Sequence, residues 1–245
     1  MKERTIDIPT RDGAMPTFIT HPELGGPHPP VILYMDAPGY REELKDFARR
    51  IGTVGHYCML PNLYYRDGGP SFPPASDRTQ EQSDQLTRLM NALTRERILS
   101  DTEAMLDVID GDPAAHGTGP LGCIGWCMSG PFVVWVSAHW SERFKALAAL
   151  HGVRMMTEEE HSPHRLIPKL NGEQYYGFAE KDHWAPLEMV ARFKEECERQ
   201  GANALVEVHP GTEHGFVFPQ RKTFNKHEAE RNWERVFAMY RRELV

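Results

Sequence analysis

Apolar runs long enough to span a bilayer, about 18 residues, are missing from this sequence. The opening MKERTIDIPTRDG carries charges but no apolar core of the kind found in a secretory leader. A cytoplasmic protein without membrane partners is therefore expected. Cysteine is scarce: Cys58, Cys123, Cys127 and Cys197 follow no disulfide-framework spacing. Cys123 and Cys127 fall four apart on an expected strand, where extended backbone sets their Cα atoms about 13 Å apart. A disulfide needs less than about 7 Å, so free thiols in a reducing compartment follow. Positive charge is not in excess either, with 28 Lys and Arg against 35 Asp and Glu, and the basic residues are scattered. Nucleic acid is not the expected partner. Internal repeats and low-complexity tracts are also lacking.

What remains is an ordinary globular composition, 40% hydrophobic and 26% charged. The 245 residues suit one α/β domain over 1–245. Strands are expected at RTIDIP, MPTFITH, PVILYMD, HYCMLPNLY, LGCIGWC, ALAALHG, EQYYGFAEKD and ALVEVHPG. Helical spacing marks REELKDFARRIG, the segment from 80 to 110, PFVVWVSAHW, PLEMVARFKEECERQG and FNKHEAERNWERVFAMYRREL. Apolar strands alternating with amphipathic helices imply a mostly parallel central sheet with helices on both faces. Ligands then sit outside the carboxyl ends of the strands, near Asp36, Cys127, His151, Asp182 and the loop after Val208.

The stretch CIGWCMSGPF offers three nucleophiles. A nucleophile elbow turns sharply from strand to helix and needs small residues two before and two after the reactive side chain. Cys127 has Gly125 and Ser129. Ser129 has Cys127 and Pro131, and Pro131 belongs in the first turn of a helix. Cys123 has strand continuing beyond it. An isolated cysteine is most often a small buried hydrophobe, but the elbow setting singles out Cys127. Its base and orienting acid should follow in the chain order acid, then histidine. Asp182 in EKDHWAP and His214 in HPGTEHGF fit; His209 precedes the Pro-Gly turn, and His183 is adjacent to the acid. Acyl transfer also needs oxyanion donors. The Met128 N–H, at the helix N-terminus, and the Ala37 N–H are the candidates, since Pro38 has none.

With these residues in hand, the chain resembles the dienelactone hydrolase (carboxymethylenebutenolidase-like) family of α/β hydrolases over nearly its whole length. GWCMSG is similar to the family's elbow, EKDHWAP to its acid loop, GTEHGF to its histidine loop and MLPNLYYR to its strand and loop after the first helix. The resemblance implies a Cys127–His214–Asp182 triad that hydrolyses a small ester or lactone through a thioester acyl-enzyme, with no metal or organic cofactor. It also shows departures. Known members carry a glutamate near the oxyanion loop that interacts with the thiol, where the nearest acid here is Asp36. They carry an arginine for the substrate carboxylate where this chain has Phe218, with Arg221 beyond, and Arg78 is a loose match for a second arginine. Hydrolysis of another acyl compound, such as a thioester or activated carbonyl, and a hydrolase-like binding protein with a spent site are the rival readings.

Trp126, Tyr64, His151 and Arg154 are further candidates to line the pocket, each against the alternative of packing or solvated-loop roles. His161 and His164 lie three apart, but no second local pair completes a metal site. No oligomeric state is legible.

Overall fold

The computed structural model describes residues 1–244. Two compact units divide the chain, Met1–Gly119 and Pro120–Val245.

In the first unit, strands β1 (Lys2–Thr10) and β2 (Gly13–His21) form an antiparallel hairpin. β3 (Pro30–Tyr34) precedes helix α1 (Glu42–Thr53) and strand β4 (Tyr57–Pro61). β4 runs antiparallel to β2 and parallel to β3, so the order is β1-β2-β4-β3. Every residue of β3 and β4 is buried, which means that both of their faces are covered. α1 packs against β2 and β4 through Leu44, Phe47, Ala48 and Ile51, spaced as one helix face requires. The helical segment from 80 to 110 is two helices, α2 (Gln80–Ala92) and α3 (Arg95–Gly111). The break falls at Thr94, whose side chain leaves the helical path to accept the Arg97 N–H and cap α3.

The second unit holds β5 (Leu121–Trp126), α4 (Gly130–His139), β6 (Phe144–Leu150), the short α5 (Pro163–Leu166), β7 (Glu173–Lys181), α6 (Leu187–Arg199), β8 (Ala204–Glu213) and α7 (Lys226–Glu243). β5, β6, β7 and β8 lie side by side in that order, all parallel. All six residues of β5 are buried. α4 packs on β5 and β6, α6 on β7 and β8, and α7 on β6 and β7. The strands end earlier than the apolar runs suggest: β5 stops at Trp126 and β6 at Leu150, which leaves Cys127 and His151 in the turns beyond. No helix among the described residues is long and apolar enough to cross a membrane.

Burial also fixes protonation in the first unit. His56 is buried just before β4, and desolvation, with help from nearby His28, pushes its pKa down to about 4. The folded value lies below the unfolded one. The neutral ring's contribution is therefore complete above about pH 6.5 and is lost as pH falls through about 4. The shift corresponds to about 3 kcal/mol. Urea unfolding should show the stability of wild type falling by that order relative to His56→Gln between pH 7 and pH 4. Parallel losses in the two proteins would contradict this assignment.

Candidate active site

The turn after β5 is the most constrained piece of backbone in the second unit. Cys127 has φ of +54°, a left-handed conformation that side chains with a Cβ adopt at a cost. Three contacts hold it there. The Ser129 hydroxyl donates to the Trp126 carbonyl at 3.0 Å and accepts the Trp126 N–H at 2.8 Å. A Cβ on Gly125 would lie 2.7 Å from the Ser129 carbonyl oxygen, so only glycine fits beneath the turn. A Cβ on Gly130 would lie 2.6 Å from the Gly152 Cα, and the Val153 N–H donates to the Cys127 carbonyl at 3.1 Å. The loop after β6 therefore cradles the turn from behind.

This packing separates the three sulfur and oxygen candidates. Cys123 is fully buried against the Val133 carbonyl and the Ser137 hydroxyl, and burial pushes its thiol up to about 12. Ser129 is fully buried, with its hydroxyl committed to Trp126. Cys127 is part-exposed. Met128 follows in the same tight turn.

Asp182 comes one residue after β7 and His214 one residue after β8. The Asp182 Oδ1 accepts the Trp184 N–H at 2.9 Å, and its Oδ2 lies 2.6 Å from His214 Nδ1. Burial opposes a charged imidazole at His214. Its interactions with Asp182 and with Cys127 outweigh burial and raise its pKa to about 9. Cys127, His214 and Asp182 are thus brought together in the second unit. The His151 ring joins them, fully buried, with its centroid 4.7 Å from that of His214.

The other expected residues take varied positions. Trp126 is buried between Phe218 and Trp233, and Phe218 is buried beneath the Arg221 guanidinium, 4.1 Å away. Neither opens onto solvent. Arg221 also lies against the backbone of Gly215, next to His214: a Cβ there would meet its Nη1. Arg154 is exposed and ion-paired to Glu159 at 2.5 Å. In the first unit, Asp36 is fully buried and paired with the Arg41 guanidinium, which also reaches Glu43. The Tyr64 hydroxyl donates to the Ala37 carbonyl at 2.9 Å, so Tyr64 braces the turn that carries Ala37. Arg78 is half-buried and donates to the Pro73 carbonyl at 2.6 Å. His164 engages the Ser162 hydroxyl at 2.8 Å. Among the described residues no group of three His, Cys, Asp or Glu could hold a metal ion.

Sequence reasoning missed what the Ser129 and Tyr64 hydroxyls do. A serine two residues past Cys127 signals only small size, and a tyrosine after a strand signals only a loop.

The fold is that of an α/β hydrolase. A crystal structure of a provisionally named dienelactone hydrolase from Klebsiella pneumoniae superposes with a TM-score of 0.83 at 23% identity, over 98% of both chains. A dienelactone hydrolase-like promiscuous phosphotriesterase from metagenomic libraries superposes at 0.79 with 18% identity, over 100% of this chain and 99% of that one. The chain belongs to the dienelactone hydrolase family, whose sequence model matches residues 15–244. Among relatives, a protein of Methylorubrum extorquens provisionally named carboxymethylenebutenolidase is 26% identical over 240 residues, 96% of this chain and 79% of that one. One of the same provisional name from Escherichia coli is 25% identical over 96% of this chain and 84% of its own length. The protein is accordingly a dienelactone hydrolase-like hydrolase.

Replacing Ser129 by alanine strips both hydrogen bonds from the buried ends of Trp126, at a cost of about 1–3 kcal/mol. Denaturant unfolding of Ser129→Ala should report a loss of that size. A loss under about 0.5 kcal/mol, the range of ordinary surface substitutions, would show that packing alone holds the turn.

Proposed function

We propose that the protein hydrolyses a small ester or lactone through a thioester on Cys127. The observation that carries this reading is the placement of His214, held by Asp182 at 2.6 Å and close enough to Cys127 for the two side chains to interact. His214 takes the thiol proton, and the thiolate sulfur forms a bond to the substrate carbonyl carbon. The backbone N–H of Met128, in the turn before α4, stabilises the oxyanion. Collapse expels the alkoxide, which leaves with the proton from His214. Water then gives a proton to His214 and attacks the thioester carbonyl, and collapse releases the carboxylic acid product as the sulfur departs with the proton from His214. Asp182 keeps Nδ1 protonated and stabilises the imidazolium formed in each half-reaction.

The ester or lactone class rests on membership of the dienelactone hydrolase family. The continuous match over 15–244 supports one catalytic domain over 1–245 acting on a small molecule. Nucleic acid and membrane have no part in this reading. Trp126, Phe218 and His151 are packed away from solvent and drop out as pocket lining, which leaves Arg154, at the surface with Glu159, as the pocket candidate of the second unit. The buried Phe218 occupies the place of the family's carboxylate-binding arginine, and the Arg221 guanidinium above it supplies a positive charge beside His214 instead.

Steady-state hydrolysis of an aryl acetate tests the triad. Cys127→Ala should show no turnover above buffer, and Asp182→Asn should lower kcat by about 10²–10⁴. Unchanged kcat in a folded Asp182→Asn protein would remove Asp182 from the reaction.

A further inference from the structure

A buried side chain with hydrogen-bonding atoms normally finds partners for them, because leaving them unmade is costly. His151 does not. Its relative exposure is 0%, and neither ring nitrogen has a hydrogen-bond partner among the described residues. The ring approaches its own main chain, but without hydrogen-bonding geometry. Its backbone is unusual too: φ is +39°, and its N–H donates to the Gly177 carbonyl at 2.6 Å.

What the ring has is aromatic company. The His214 ring meets it at 4.7 Å between centroids and 69° between planes, Phe218 at 5.8 Å and 66°, and Phe216 at 6.1 Å and 62°. These are edge-to-face arrangements within the range of favourable aromatic contact. Burial pushes the pKa of His151 well down, and the charged groups that act on it, His214, Arg221 and His209, push the same way. The ring is therefore neutral. It faces a partner, His214, whose own pKa is raised.

We propose that His151 is a positioning residue whose neutral ring braces His214 in line with Cys127 and Asp182 and stabilises its protonated form through cation–aromatic contact. This rests on the catalytic reading of His214. A cation against a desolvated aromatic face is held more strongly than one in water. His151 acts here as an aromatic body, so its nitrogens are dispensable and its ring is not. The neighbouring chain makes the same loop serve both reacting groups: His151 meets the base, and Val153, two residues on, donates to the Cys127 carbonyl. The groups that face His214 are then Asp182, through a hydrogen bond at 2.6 Å, Cys127, His151, through its ring, and the Arg221 guanidinium against the neighbouring Gly215.

The test is an NMR titration of the His214 ring in the full-length protein, with the signal assigned by its loss in His214→Gln. Wild type, His151→Phe and His151→Leu are compared, and aryl acetate kinetics are recorded on each. His151→Phe keeps the ring and discards the nitrogens; its His214 pKa should stay within about half a unit of wild type or rise. His151→Leu should lower it by about one unit, a tenfold loss of proton affinity, and lower kcat about tenfold while KM changes less than about twofold. Equal behaviour of the leucine and phenylalanine variants would overturn the proposal. So would a fall of more than about half a unit in His151→Phe, which decides the matter by itself if His151→Leu does not fold. Failure of the catalytic reading is a separate result: full turnover in Cys127→Ala, with the titration still readable.

Discussion

The site depends on one residue held with its backbone in the left-handed region. Cys127 sits at φ of +54° because β5 must end and α4 must begin within a few residues. Such a conformation costs of order 1–3 kcal/mol and persists only where the surroundings over-determine it. Here they do. Gly125 leaves no room between strand and turn, the Ser129 hydroxyl ties both polar groups of Trp126, and Gly130 is pressed against Gly152. The consequence is a thiol that stands clear of the core, while Cys123, four residues earlier on the same strand, is sealed inside it.

Charge follows the same division between sealed and presented groups. Burial pushes His28, His56, His151, His164 and His209 towards the neutral form. His214 is pushed the other way, because its interactions with Asp182 and Cys127 outweigh burial. A histidine shifted against its own desolvation, next to a part-exposed thiol at the strand ends, is the pattern expected of a reacting group. His209 makes an instructive contrast. It too meets a carboxylate, Glu228 at 2.7 Å, but there burial prevails, with the positive charge of Arg231 pushing the same way.

The convergence of Cys127, Asp182 and His214 was legible because each combines a residue type with a forced position. A turn that tolerates only small flanks identifies Cys127 without knowledge of the fold, and strand ends followed by loops identify Asp182 and His214. The alternation of strands and helices was legible for the same reason, periodicity. What stayed hidden depends on where side chains point. His151 reads as a loop residue open to a polar substrate, yet the structure turns it inward against His214. Trp126 and Phe218 read equally well as pocket lining, yet they pack against each other in the core. Tyr64 reads as loop and proves to brace Ala37. The break between α2 and α3 at Thr94 was masked by Leu89, Leu93, Met105 and Ile109, whose helical spacing continues on both sides of it.

The central claim is that the acyl group is carried by the Cys127 sulfur. Rapid quenching of the protein with an activated aryl ester, followed by peptide mass spectrometry, tests it most directly. The account predicts the acyl mass on the peptide containing Cys127, formed and lost on the timescale of turnover, and absent from Cys127→Ala. Turnover with the acyl group on another residue, or undiminished turnover in Cys127→Ala, would contradict it.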